Sequence, residues 1–116
     1  MTSVKIFYEG NVPVGFGMYG HAKYCLDGPD IVCASLSAAS QMTINGLVEW
    51  LGVDCTDLIT EKNEVWGTLA IKVPDEIGYN PAAHHLLRAF EIYIEALAEA
   101  YPKNVRYERR QLDVMH

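Results

Sequence analysis

The sequence has few cysteines, few basic residues and no long apolar run, and each shortage excludes a class of protein. Its 116 residues include three cysteines, Cys25, Cys33 and Cys55, and no C-x-x-C pair, so neither a disulfide framework nor a zinc site is indicated. No run of eighteen apolar residues occurs, and the N-terminus lacks the basic and apolar segments of a signal peptide. We therefore expect a cytoplasmic protein without a membrane contact.

Basic residues are outnumbered by acidic ones, nine to fifteen, which gives a net charge of −6. Phosphate binding needs a basic face, so this balance argues against nucleic acid as a direct partner, although it suits a basic protein partner. Arg106, Arg109 and Arg110 form a local basic group that is too small for a nucleic-acid surface. The length predicts a single domain, residues 1–116.

Five segments have the composition of β-strands. Residues 4–8 alternate between apolar and polar side chains, and residues 12–19 form the expected hairpin partner across a turn. A second hairpin is predicted from residues 55–61 and 65–73. Residues 105–108 are long enough for a short C-terminal strand.

Two segments have helical periodicity. The first is expected to begin with Asp30 as its N-cap and to stop at Gly52, and its first half is rich in small residues. The second begins at Asn80 and Pro81 and ends before Pro102. The order ββαββα predicts a two-layer α+β fold, an antiparallel sheet with two helices on one face. Such a small sheet leaves apolar surface to cover, so we expect a homodimer.

A G-x-G-x-x-G pattern at residues 15–20 resembles a dinucleotide-binding loop. That loop requires a helix to begin at the third glycine, and here Gly20 is followed by a loop with Gly28 and Pro29. We interpret the glycines as part of a strand. A row of acidic residues on the second helix, Glu91, Glu95 and Glu99, is predicted to be a solvated face.

Cys33 lies in the predicted first turn of the first helix, where unpaired amide groups and the helix dipole stabilise a thiolate. It is either a nucleophile or a buried structural cysteine. His21 is either its general base or an ordinary loop histidine. Asp30 caps the helix, orients His21, or does both. Ser37 lies one turn beyond Cys33, where its hydroxyl either bonds near the sulfur or fills a tight interface.

Two motifs together resemble those of a known family. Gly20-His21-Ala22, followed after a short loop by Asp30-Ile31-Val32-Cys33-Ala34-Ser35-Leu36-Ser37, looks like the paired motifs of the ribosomal-processing cysteine protease (Prp) family. The resemblance implies a homodimeric α+β protease without metal or cofactor. It also implies a substrate, a large-subunit ribosomal protein whose N-terminal extension is removed.

The resemblance further implies a role for each matched residue. Cys33 is the nucleophile, His21 is the base, and Asp30 and Ser37 support them. A segment that orders over substrate consists of Ala22, Lys23, Tyr24, Cys25, Leu26, Asp27, Gly28 and Pro29. Within it, Cys25 suggests a disulfide with Cys33 under oxidation. Two other functions remain open: a ribosome-associated binding module that does not cleave, and a thiol redox sensor.

Overall fold

The computed structural model describes residues 1–20, 30–63 and 67–112. These residues form an α+β fold, as predicted, with strands in the order β3-β4-β2-β1-β5. The elements along the chain are β1 (Thr2–Glu9), β2 (Val12–Tyr19), α1 (Asp30–Leu51), α2 (Cys55–Leu58), β3 (Ile59–Asn63), β4 (Thr68–Lys72), α3 (Pro81–Ala100) and β5 (Val105–Gln111).

The sheet is mixed, which corrects the prediction of a purely antiparallel one. The pairs β1–β2, β2–β4 and β3–β4 are antiparallel, but β5 runs parallel to β1 from Thr2 opposite Val105 to Tyr8 opposite Gln111. The reason lies in α3, which carries the chain back along the sheet after β4. A strand that follows such a crossover starts from the same end of the sheet as the strand before it.

Both long helices pack on one face of the sheet, as predicted. A single cluster of buried side chains joins the inner face of the sheet to α1 and α3. Phe16 of β2 stacks on Phe90 of α3 with ring centroids 4.2 Å apart. Gly46 lets the helices approach closely, because a Cβ at this position would lie 3.1 Å from the Leu86 side chain.

The ends of the helices agree with the sequence in two places. Gly52 has φ +65°, and its N–H donates to the Val48 carbonyl at the end of α1. The Asn80 side chain accepts from the N–H groups of Ala82 and Ala83, at 2.9 and 3.2 Å, and caps α3. Capping residues thus set these boundaries locally, which is why sequence alone identified them.

The strand predicted at residues 55–61 is wrong in its first half, where the short helix α2 forms. The Asp57 carboxylate accepts from the Asp54 N–H at 3.0 Å, and the Asp57 N–H donates to the Asp54 carbonyl at 2.9 Å. This local bonding satisfies amide groups that a ladder would otherwise pair, so the chain turns before β3 begins.

The glycine-rich segment is strand β2, as predicted, and two of its glycines are needed for packing. A Cβ at Gly15 would collide with the Ile71 carbonyl of the neighbouring strand. A Cβ at Gly17 would lie 2.6 Å from the Tyr19 ring, which covers that position. These contacts account for the glycines without a phosphate ligand.

Candidate active site

Cys33 is the fourth residue of α1 and is half-buried. Its neighbours Val32 and Leu36 are buried in the core, with exposed fractions of 3% and 5%, and they fix the first turns of the helix against the sheet. The first four N–H groups of a helix lack acceptors within it, so the start of α1 is an electropositive end. In the structure Cys33 is disulfide-bonded. Once the sulfur is reduced, this position favours a thiolate and a developing oxyanion.

Ser37 lies one helical turn beyond Cys33 on the same side of α1. It is exposed, and its carbonyl oxygen accepts from the Ser40 hydroxyl at 3.1 Å. The small side chains beside it, Ala34 and Ala38, are also exposed. Among the described residues, the side chains of α1 that follow Cys33 on its exposed side are therefore small.

Several predicted site residues lie outside the described residues. They are His21 and residues 22–29, which include Cys25; for Asp30 the backbone is described as the first residue of α1, and its side chain is not. The residue directly before His21 is Gly20, at the end of β2. Gly20 has φ +130°, and a Cβ there would lie 2.6 Å from the Met1 carbonyl oxygen, so only glycine fits at this strand end.

Tyr19 is a feature of the same strand end that the sequence reasoning missed. Its ring lies over Gly17, and the Lys5 ammonium lies 5.1 Å from the ring centroid. Burial raises the pKa of Tyr19, and the negative charge of Glu61 raises it further. The sequence signal for this contact was Gly17, two positions before Tyr19, because residues i and i+2 of a strand lie on the same face and a glycine leaves room there for a ring.

An open groove of about 480 Å³ runs between α1 and α3. Exposed apolar residues line it on both helices, with exposed fractions of 72% for Met42 on α1 and 44% for Tyr93 on α3. Its other walls include Ala34, Ala38, Leu86 and Phe90. This groove is continuous with the first turns of α1, where Cys33 lies.

The length and apolarity of α1, over Ile31–Leu51, would allow it to span a membrane. In this fold it is a core helix, with Leu47 fully buried and Ile44 almost so. Among residues 1–20, 30–63 and 67–112, no group of three or more His, Cys, Asp or Glu side chains is arranged to hold a metal ion. Cys55 is a free, exposed cysteine in α2.

A second polar cluster surrounds Glu91 and corrects the prediction of a solvated acidic face on α3. Glu95 and Glu99 are exposed, but Glu91 is fully buried. Its Oε1 accepts from the Tyr8 hydroxyl at 2.5 Å and from Arg88 at 3.0 Å. Both of its oxygens accept from Arg109, at 2.7 and 3.2 Å, and Oε2 also accepts from the Tyr107 hydroxyl at 2.6 Å.

These contacts keep Glu91 ionised despite its burial. Burial alone would raise the pKa of Glu91, but hydrogen bonds from Arg109, Tyr107 and Tyr8 hold it below its usual value. Burial and the hydrogen bond to Glu91 in turn raise the pKa of Tyr8 to about 12. Three of the partners, Tyr8, Tyr107 and Arg109, come from β1 and β5, which are distant in sequence from Glu91, so no local pattern predicted the cluster.

Comparison with known proteins adds three findings. The family model for the cysteine protease Prp matches residues 1–106. The structure of SMU.848 from Streptococcus mutans is similar, with a TM-score of 0.74 and 22% identity over 97% of this chain and 96% of that one. No curated protein matches the chain by sequence.

Two structures of the ribosomal processing protease Prp from Staphylococcus aureus share the fold as well. The complex with a substrate peptide has a TM-score of 0.75 and 22% identity. The complex with a covalently linked product peptide has a TM-score of 0.72 and 24% identity. Each alignment covers 95% of this chain and 100% of the other.

Proposed function

We propose, from the premise that this chain belongs to the family of the cysteine protease Prp, that it cleaves the N-terminal extension of a large-subunit ribosomal protein. The family match carries the class of reaction. The S. aureus structures, whose ligands are a substrate peptide and a covalently linked product peptide, support the choice of a ribosomal substrate. A basic ribosomal substrate would also be attracted to a chain of net charge −6.

The observation that carries the proposed mechanism is the place of Cys33 in the first turn of α1. In the reduced enzyme, the Cys33 thiolate attacks the carbonyl carbon of the scissile peptide bond and forms a carbon–sulfur bond. Amide groups at the start of α1 stabilise the negative charge on the carbonyl oxygen. The carbon–nitrogen bond then breaks, leaving an acyl-enzyme.

His21 moves the protons in this proposal. It takes the thiol proton, gives it to the leaving amine, and then activates the water that hydrolyses the acyl-enzyme. Asp30 and Ser37 support these two groups, and residues 22–29 close over the bound peptide. The reaction needs no metal or cofactor, because thiolate, base and amide donors supply the nucleophile, the proton transfer and the charge stabilisation.

A peptide that spans the extension and its cleavage site tests this proposal. The assay needs a thiol reductant, because Cys33 is disulfide-bonded in the structure. Cys33→Ala is expected to lose at least about 1,000-fold in kcat/KM, as nucleophile variants of proteases do. Cys55→Ala, which removes the free cysteine of α2, is the matched control and is expected to keep full activity.

Two outcomes would contradict the proposal. Peptide that binds but stays intact with the reduced wild-type protein would favour a non-catalytic binding module. Undiminished cleavage by His21→Ala would remove His21 as the base. A chain that cleaves equally well before and after oxidation would leave the redox-sensor alternative without support.

The oligomeric state, domain extent and location are further parts of the proposal. We propose a single domain, residues 1–116, that works as a cytoplasmic homodimer and binds neither nucleic acid directly nor a membrane. The exposed apolar groove between α1 and α3 supports the dimer, because apolar patches rimmed by polar residues mark protein interfaces. Pairing two copies through this groove would bring their α1 helices, and so their sites, close together.

A further inference from the structure

An open cavity of about 400 Å³ lies beside the Glu91 cluster, next to the turn between β1 and β2. Its lining is mostly polar and rich in hydrogen-bond donors. The side chains that form it are Tyr8, Asn11, His84, Arg88, Arg109 and Gln111. Its volume is within the range of sites for small molecules. None of the residues proposed for peptide cleavage lines it.

Arg109 enters this cavity in a fixed orientation. Its Nε and Nη2 donate to the two oxygens of Glu91, and its guanidinium lies 4.4 Å from the centroid of the Tyr8 ring. A guanidinium has five N–H groups, so these two hydrogen bonds leave the Nη1 side of the fork unused by Glu91. The Arg109 side chain is half exposed, at 51%. A second oxyanion can therefore bind to its outer edge.

Arg88 supplies a second guanidinium. Its Nη1 donates to Glu91 at 3.0 Å and lies 3.6 Å from the Glu95 carboxylate. Glu95 is 45% exposed, and exposed ion pairs of this kind contribute little. Glu95 is thus a weak competitor for Arg88, and a ligand in the cavity can displace it.

The charges in the cavity favour an anion. Arg88 and Arg109 both line the cavity, whereas the two carboxylates that pair with them, the buried Glu91 and the partly exposed Glu95, are not among its lining residues, and both oxygens of Glu91 are already occupied by hydrogen bonds. Both arginine side chains line the cavity and are partly exposed, at 40% for Arg88 and 51% for Arg109, and a guanidinium can bind a carboxylate or a phosphate through two parallel N–H groups. Gln111 is held in place by a hydrogen bond from its amide to the Gly10 carbonyl, at 3.2 Å.

We propose that this cavity is a binding site for a small oxyanion, a phosphate or a carboxylate, held by the outer edges of Arg88 and Arg109. The buried Glu91 is the positioning residue, because it fixes both guanidinium groups before the ligand arrives. This site is separate from peptide cleavage and does not depend on the proposed function.

Calorimetric titration of the full chain with inorganic phosphate, and separately with acetate, tests the proposal at constant ionic strength. Saturable binding of either anion is expected, and their relative affinities distinguish a phosphate from a carboxylate ligand. Arg88→Gln is expected to weaken binding about tenfold or more, because it removes one charged donor. Arg106→Gln, an exposed arginine of β5 that does not line the cavity, is the matched control and should change binding less than about twofold.

Glu95→Gln gives a second test that does not disturb the core. Removing the competing carboxylate should tighten binding about two- to fivefold. The absence of saturable binding of either anion in the wild-type protein would overturn the proposal. So would an equal loss in Arg88→Gln and Arg106→Gln, because it would indicate general surface attraction. Peptide cleavage by these variants is expected to be unchanged, so failure here leaves the proposed function intact.

Discussion

The two long helices differ in where they place charge. α3 carries four charged residues, and the buried carboxylate among them, Glu91, is fully paired within the chain. α1 carries a single charged residue between Ile31 and Leu51, Glu49, and it exposes apolar and small side chains along the groove, whose other wall includes Tyr93 of α3. The buried charge of α3 is thus paired inside the molecule, whereas the groove beside α1 is an apolar surface that a partner or a peptide can cover.

This difference separates a stabilising region from a binding region. A buried carboxylate with five hydrogen bonds fixes three elements relative to one another and leaves little freedom. For an exposed helix face of alanine, serine and methionine, the free energy differs little between the solvated state and the state covered by a partner. The candidate nucleophile, Cys33, lies at the start of α1, on the helix that forms the exposed binding region, which is where a substrate must approach.

Removing the charge of Glu91 is the most severe test of its stabilising role. Glu91→Gln is expected to lower the free energy of unfolding by roughly 3–5 kcal/mol, because it leaves Arg109 next to a neutral partner inside the cluster. Glu95→Gln, on the exposed side of the same helix, should change it by less than about 0.5 kcal/mol. Urea unfolding of both variants measures the difference. Equal changes in the free energy of unfolding of the two variants would mean that the burial of Glu91 contributes nothing to stability.

A charge in the groove tests the exposed face of α1. Met42 is 72% exposed, so Met42→Glu should leave the stability of the monomer within about 0.5 kcal/mol of the wild type. If two copies pair through the groove, the same change buries an unpaired carboxylate in the interface. The dissociation constant of the dimer should then rise by about tenfold or more. Sedimentation measures the shift. Trp50→Glu, an exposed residue of α1 that does not line the groove, is the control.

The last prediction concerns Tyr8 at high pH. Its pKa is raised to about 12 in the folded chain, against about 10 in an unfolded one, so the stability it contributes is complete below about pH 10. This contribution is lost as the pH rises toward 12, and it amounts to roughly 1–3 kcal/mol. Tyr8→Phe should therefore be less stable at neutral pH and lose less stability between pH 10 and 12. Parallel unfolding curves across this range would contradict the assignment.

Local chemistry explains which parts of the fold were predictable. The extent of β2, the Asn80 cap and the Gly52 stop each depend on residues within a few positions, and each prediction is confirmed. The helical turn at Cys55–Leu58 was missed because an Asp54–Asp57 pair outweighed an apolar pattern that also suits a strand. The parallel pairing of β5 was missed because it depends on how α3 returns the chain, which no short segment records.

The candidate site divides in the same way. The sequence placed Cys33 in the first turn of a helix, and the structure agrees. The roles of His21, Asp30, Ser37 and the segment 22–29 remain predictions. The Glu91 cluster and its cavity were not predicted, because the spacing of Glu91, Glu95 and Glu99 describes an exposed face equally well.

The sequence alone was enough for strand β2, the Asn80 cap, the Gly52 stop and the paired motifs that resemble the family, because each is encoded in neighbouring residues. The tertiary structure alone decided that Glu91 is buried between Tyr8, Tyr107, Arg88 and Arg109, and that α1 keeps an apolar face outside. The physical reason is that burial and pairing depend on contacts between distant segments. A carboxylate is solvated or buried, and an apolar residue is core or surface, according to what the fold places opposite it.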